Sequence, residues 1–249
     1  MTDPVELEAW QDHLEAALRM PVRVYQQTSS TQDVAKSFAP KKTLIVADQQ
    51  TDGRGRLGRR WASTPGASVL MSLVLPTSDK KLTHDRLSVL SGIAMSHTVQ
   101  RLLPSTTVRL KWPNDVLVED QKIAGILIEQ VAGAFIIGIG LNVTPQAVAD
   151  PSLAEVSTCL EALGPVCDRL LVIEQTITEL INAYQTTKPE QMLASWRNLA
   201  ALGQTQTFEH NNQRITGEVL DLDPDHGLIV RRDTGEIVTL PAATTSVVK

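Results

Sequence analysis

The stretch from Gly53 to Gly58 reads GRGRLG, with glycines at the spacing G-x-G-x-x-G and two more arginines following at Arg59 and Arg60. A dinucleotide turn shares that glycine spacing. It also needs a helix opening from the last glycine and an acidic residue about 20 positions on. Here WASTPGAS follows, with Pro65 and Gly66, and residues 73–75 are Leu-Val-Leu, so the dinucleotide reading fails. A P-loop fails too: Gly53 and Gly58 have its spacing, but Arg59 and Arg60 stand where it needs Lys and Ser or Thr. An anion-binding loop and a solvated basic turn remain. The glycines let backbone N–H groups come close to a ligand, and Arg54 and Arg56 offer bidentate forks to a phosphate or carboxylate. Four arginines between 54 and 60 repel one another, so the loop is expected to be mobile when empty and ordered by an anion.

A second dense stretch, KWPNDVLVEDQKIAGILIE, covers 111–129. Pro113 pushes Trp112 into an extended conformation, so the segment is expected to kink and to present Lys111, Asn114 and Asp115 in a fixed array. Lys111 is a point charge suited to a phosphate, and Asp115 is suited to orienting an amine or holding a cation. Lys122 opens the next strand, and a hairpin returns it to the first. Gly125 interrupts that apolar strand, and Gly138 and Gly140 interrupt the following one ahead of Asn142. A glycine within a strand marks either the close approach of a ligand or backbone, or tight packing and a bulge.

The elements that must position these residues follow from periodicity and breakers. Helices are expected over 5–19, 29–38, 86–103, 166–184 and 189–200. Strands are expected over 22–25, 43–48, 68–76, 108–112, 115–119, 122–130 and 134–143. Short connections between the later strands make them mostly antiparallel hairpins, so the class is α+β with a mixed, largely antiparallel sheet and helices packed on it. Residues 49–67 and 144–165 read as irregular. After Leu202 short alternating strands suggest a small barrel-like module, dividing the chain into 1–202 and 203–249.

The chain has 249 residues, 42% of them hydrophobic and 20% charged, with a net charge of -5. That allows a sizeable core and argues against general nucleic-acid binding, so no DNA partner is expected. The two cysteines, Cys159 and Cys167, fit buried thiols of a reducing compartment better than a disulfide framework or a zinc site. The N-terminal stretch lacks signal-peptide character, and runs such as AFIIGIGLNV are too short to span a bilayer. A cytoplasmic, non-membrane protein is expected.

QTDGRGRLGRRW, KWPNDV, KIAGILIE and GIGLNV together resemble the ordered motif series of biotin–protein ligases, over roughly 22–145. The resemblance implies the class II synthetase-like fold of biotin and lipoate ligases, with a small C-terminal SH3-like β-barrel. It also implies a reaction in two steps. Biotin and ATP give biotinyl-5′-AMP and pyrophosphate, and a lysine of a biotin carboxyl carrier domain then takes the biotinyl group. Ser30, Thr31, Gln32 and Gln50 would contact the biotin head, with Gly125 and Gly140 beneath the ligand. Arg54, Gly55 and Arg56 would close over it, and Lys122 would meet the carboxylate and acyl group. Lys111, Asn114 and Asp115 would handle the phosphates, Mg2+ and the attacking amine. Trp61 would stack on adenine or cover the intermediate, and Asn142 belongs to the same nucleotide set. The catalytic group is then Arg54, Arg56, Lys111, Asp115 and Lys122, with no permanently bound metal and Mg2+ arriving with ATP.

The chain departs from the family pattern at Gln32, where asparagine is usual, and at LPAATTSVVK, which lacks a Gly-Glu element. About twenty residues precede the first strand, too few for the winged DNA-binding module that some members carry, which implies a ligase without a repressor role. Family members can dimerise by extending a sheet edge, so a homodimer is open to this chain. A lipoate or octanoate ligase on the same fold, and a biotin-binding sensor without catalysis, are the competing functions.

Overall fold

The structure is a computed structural model that describes residues 4–77, 82–131, 133–165 and 168–248. In chain order the elements are α1 (Pro4–Leu18), β1 (Val22–Thr28), α2 (Thr31–Lys36), β2 (Thr43–Gln50), β3 (Ser68–Pro76), α3 (His84–Leu102), β4 (Val108–Lys111), β5 (Asp115–Val118), β6 (Gln121–Val131) and β7 (Ala134–Asn142). The one-turn helices α4 (Pro151–Ala154) and α5 (Leu160–Leu163) follow, then α6 (Arg169–Thr186) and α7 (Pro189–Leu199). The last part of the chain supplies β8 (Thr205–His210), β9 (Gln213–Asp223), β10 (Gly227–Arg232), β11 (Ile237–Leu240) and β12 (Thr245–Val247).

Seven strands form one mixed sheet in the order β1-β2-β3-β7-β6-β5-β4. Only β1 and β2 run parallel; every other neighbouring pair is antiparallel. β2 and β3 are buried along both faces, which is why TLIVAD and SVLMSLVLP read as near-continuous apolar runs rather than alternating ones. Leu44, Val46, Leu73 and Ile137 belong to the main core, which also holds side chains of α1, α3 and α6. The alternate residues Ile45, Val74 and Ile136 face the other way and pack with Ala35 of α2. Helices α1, α3 and α6 thus cover one face of the sheet. Among the described residues the other face carries the short helix α2 beside β2, β3 and β7, and toward β6 it is left open to the loop that holds Trp61.

The segment 144–165, expected to be irregular, includes α4 and α5, each too short to produce a visible hydrophobic period. Residues 156–158 run beside the start of β6: Lys122 N donates to Val156 O and Thr158 N to Lys122 O, both at 2.9 Å. The second sheet is antiparallel, in the order β11-β10-β9-β8-β12. It is the small C-terminal β module expected, and among the described residues β11 and β12 stand at its two ends without pairing to each other. Its apolar side packs on α3 and α7 through Phe208, Leu228, Val230, Trp196 and Ile93. No described helix is long and apolar enough to cross a membrane. Cys159 is a buried free thiol, and Cys167 lies outside the described residues.

Candidate active site

On the open face, strand register lines up Leu70, Gly140, Gly125, Asp115 and Lys111 across five neighbouring strands. Cross-strand partners point their side chains to the same face, so two adjacent glycines cut a trough in the sheet, ending at a carboxylate and an ammonium. A Cβ on Gly140 would lie 2.5 Å from the Trp61 ring, and one on Gly125 would lie 2.8 Å from that ring and 3.0 Å from Lys122 Nζ. The close approach that these glycines permit is therefore made by Trp61 and Lys122. The Lys122 ammonium sits 5.3 Å from the indole centroid and 2.6 Å from Asp115 Oδ1. Trp61 Nε1 is buried without a hydrogen-bond partner.

The trough opens into a cavity of about 490 Å³. At the β3 end its wall is neutral and hydrogen-bonded. Ser30 caps α2 by accepting from Gln32 N, which turns Thr31 and Gln32 inward. Thr31 N donates to Gln50 Oε1 at 2.6 Å, Thr31 Oγ1 lies 2.9 Å from Ser72 Oγ, and Ser72 Oγ donates to Gln32 Oε1 at 3.0 Å. Gln32 Nε2 donates to Ile136 O at 3.2 Å, so the longer side chain that replaces asparagine is fully buried and satisfied. Its carbonyl would be 2.6 Å from a Cβ on Gly138, the glycine that makes room for it.

The glycine loop folds as a small hairpin over the cavity. Arg54 and Arg60 form a bridge, Gly55 N donates to Arg59 O and Trp61 N to Gly53 O, both at 2.8 Å. Leu57 and Gly58 are both left-handed, at φ 53° and 73°, which closes the tip. The mutual repulsion expected of the arginines is offset at three of the four, Arg54, Arg56 and Arg60, which each find a partner. Arg54 reaches Asp33 and Glu129, at 2.5 Å each. Arg56 Nη1 donates to Asn114 Oδ1 at 3.3 Å, and Nη2 to the carbonyls of Ala242 and Thr245. Arg60 pairs with Asp52 in solvent. Burial pushes the Arg56 guanidinium down to about 10, with Asp115 opposing and Arg59 adding to the shift, so it is still a cation at neutral pH.

Every candidate binding or catalytic residue named from the sequence lines this cavity except Asn142. Asn142 is buried and donates to Thr158 O at 3.0 Å, so it braces the segment that flanks Lys122 rather than facing the cavity. Asn114 Nδ2 is held by Ile126 O at 2.8 Å, which fixes the turn after the cis Trp112–Pro113 peptide against β6. Sequence reasoning missed Ser72, Asp33, Glu129 and the carbonyls of Ala242 and Thr245. Ser72 had one local sign: it is a hydroxyl inside an otherwise apolar strand. The others are distant in sequence from what they hold.

Known proteins can be set beside this geometry. The model of the Biotin/lipoate A/B protein ligase family matches residues 24–144. Bifunctional ligase/repressor BirA of Bacillus spizizenii is 32% identical over 228 residues, covering 85% of this chain and 70% of its own. Biotin--[acetyl-CoA-carboxylase] ligase of Mycobacterium tuberculosis is 36% identical over 210 residues, covering 80% and 76%. The structure of biotin protein ligase from Aquifex aeolicus in complex with biotin and ATP superposes with a TM-score of 0.81 at 25% identity, covering 92% of this chain and 99% of that one. The chain belongs to the biotin/lipoate A/B protein ligase family and, within it, to the biotin protein ligases, which are ligase enzymes.

Proposed function

We propose that the chain activates biotin with ATP to biotinyl-5′-AMP and pyrophosphate, then transfers the biotinyl group to one lysine of a biotin carboxyl carrier domain. The observation that carries this reading is the polarity of the cavity over the two glycines. Neutral amide and hydroxyl groups from Thr31, Gln32, Gln50 and Ser72 line one end, and Lys111, Lys122 and Arg56 gather at the other. A substrate with a neutral hydrogen-bonding head and a carboxylate at the far end of an aliphatic chain matches that order. In the Aquifex aeolicus relative the ligands are biotin and ATP.

In the first step a biotin carboxylate oxygen bonds to the α-phosphorus of ATP while the bond from that phosphorus to the bridging oxygen breaks and pyrophosphate leaves. Two anions must meet, so charge on the protein offsets their repulsion, and no protein nucleophile is required. Lys122, lying along β6 over Gly125, is placed for the carboxylate, and Arg56 and Lys111 for the phosphates. The unpaired Trp61 N–H offers one further donor to a ligand that displaces the ring from the trough. In the second step a lysine amine attacks the acyl carbon and AMP leaves; Asp115, paired with Lys122 until then, orients the amine. Mg2+ arriving with ATP would supply charge against the phosphates, and Asp115, which lines the cavity beside Lys122, would help hold it. Among the described residues no cluster of three or more ligating side chains forms, so phosphate and water oxygens would complete its shell.

The test is incubation with ATP, Mg2+ and either biotin or lipoate, following pyrophosphate release and labelling of an apo carrier domain. Biotin-dependent labelling is expected. Labelling with lipoate alone, or tight biotin binding without AMP transfer, would overturn the reading. With a net charge of -5 the chain is also expected not to bind duplex DNA at physiological salt. Micromolar binding to operator-like DNA in a mobility-shift experiment would contradict that.

A further inference from the structure

The lid arginine at the phosphate end rests on a part of the chain almost two hundred residues away. Arg56 Nη2 donates to the carbonyl of Ala242 and, at 2.9 Å, to that of Thr245. These two residues flank the turn that joins β11 to β12 in the second sheet. The same residue, Ala242, is gripped from its other side: its N–H donates to Asp85 Oδ1, in the first turn of α3. Asp85 is only 8% exposed, and Ala242 is fully buried. Asp85 does not line the cavity. Burial pushes its carboxyl up, and the Ala242 N–H, His84 and Arg56 pull against that shift. A carboxylate held in such a place needs a partner, and here the partner is the N–H of the same residue whose carbonyl receives Arg56.

We infer that Asp85 is a positioning residue for adenylate formation and retention: by holding the Ala242 N–H it fixes the carbonyl on which Arg56 docks, so the second sheet sets the closed position of the lid. The inference rests on the reading of Arg56 as a group of the active site. A purely structural role is the competing account, since an acid in the first turn of a helix is favourable on its own. Thr83 already caps α3, however, accepting from Arg86 N at 3.1 Å, and the Asp85 side chain turns away to the Ala242 peptide.

Four variants test it on the full chain: Asp85→Ala, Asp85→Glu, Asp85→Asn and Arg56→Ala, with the double variant Asp85→Ala/Arg56→Ala. The readouts are Tm, the biotin KM, the kcat of pyrophosphate release and the escape of free biotinyl-5′-AMP. Displacing a clamp by about 1 Å costs up to a hundredfold in rate, so Asp85→Ala is expected to lower kcat and raise adenylate escape by roughly tenfold, with the biotin KM changed by less than about twofold. Asp85→Glu keeps the acid at the helix N-terminus but pushes the Ala242 peptide away, so it should leak adenylate without losing Tm, and it stands in if the alanine variant fails to fold. Asp85→Asn keeps an oxygen acceptor and should restore most of the activity. In the Arg56→Ala background Asp85→Ala should add nothing. Wild-type kcat and escape in Asp85→Glu, or an additive loss in the double variant while Arg56→Ala alone is impaired, would overturn the role of Asp85 and leave the site reading intact. Wild-type behaviour of Arg56→Ala would overturn both.

Discussion

Gly138 and Gly140 lie two residues apart in β7, yet they make room for different neighbours: the Gln32 carboxamide at the first, the Trp61 indole at the second. Adding a methyl group therefore tests the two ends of the cavity separately. Gly138→Ala places Cβ 2.6 Å from Gln32 Oε1 and must break the hydrogen bond from Ser72. Losing one such bond costs about 0.5–1.5 kcal/mol, so biotin affinity should fall by up to roughly tenfold in calorimetry. Gly140→Ala should instead displace Trp61 and act on adenylate retention more than on biotin affinity. Equal biotin affinity of Gly138→Ala and the unsubstituted chain would refute the placement of Gln32. The glycines were legible in the sequence because each interrupts an apolar strand. What approaches them was not, since Gln32 precedes Gly138 by more than a hundred residues and meets it only after β3 and β7 pair. Asp33 and Glu129 carry no local sign for the same reason, since each is far in sequence from the Arg54 that it holds.

At the scale of the element, the loop expected to be mobile is tied down in this state at both arginines. The Arg54 anchor joins it to α2 through Asp33 and to β6 through Glu129, and Lys36 lies 3.0 Å from Asp33 as well. The sequence carried the positive charge of the loop openly. The carboxylates that balance it sit on two other elements, so repulsion alone was a poor guide. Glu129→Gln leaves an acceptor but removes the charge, and should raise amide hydrogen exchange across 53–61 while the flanking strands stay protected. Unchanged exchange there would mean that Arg54 does not restrain the loop. The same anchor has a pH dependence. Partial burial raises the Asp33 carboxyl, but hydrogen bonds and charge from Lys36 and Arg54 outweigh it and leave the group below its ordinary value of 3.8. A lowered folded value means the contribution is present above the ordinary carboxylate range and is lost as pH falls through the shifted value. Loop protection, corrected for intrinsic exchange, should therefore be flat from neutral pH down to about 5 and fall only in stronger acid.

At the scale of the whole molecule, the change in composition after Leu202 marks where short alternating strands begin, and from that change alone the last part reads as a module of its own. Its packing leads to a different expectation. Phe208, Val230 and Leu240 share one hydrophobic cluster with Val89, Leu90 and Ile93 of α3 and with Met192 and Trp196 of α7. Arg197 of α7 also pairs with Asp221 of β9, at 2.5 Å. That union is invisible locally because residues 89–93 and 208 lie more than a hundred positions apart, and the period of α3 reveals an apolar face but not its partner. A core built from both parts should melt once. Phe208→Ala removes a fully buried ring, at a cost of about 3–5 kcal/mol. If the two sheets unfold together, that loss lowers a single midpoint, seen alike by helical circular dichroism, dominated by α1, α3 and α6, and by the fluorescence of Trp112 and Trp196 in the shared cluster. If the second sheet were an independent domain, Phe208→Ala would leave the helical midpoint in place and split off an earlier transition. The coupling has a functional side as well, because the turn at 242–245 that receives Arg56 is held by this core. Adenylate escape in Phe208→Ala should therefore rise at temperatures below the midpoint of unfolding, and an unchanged escape rate there would separate the stability of the second sheet from control of the lid.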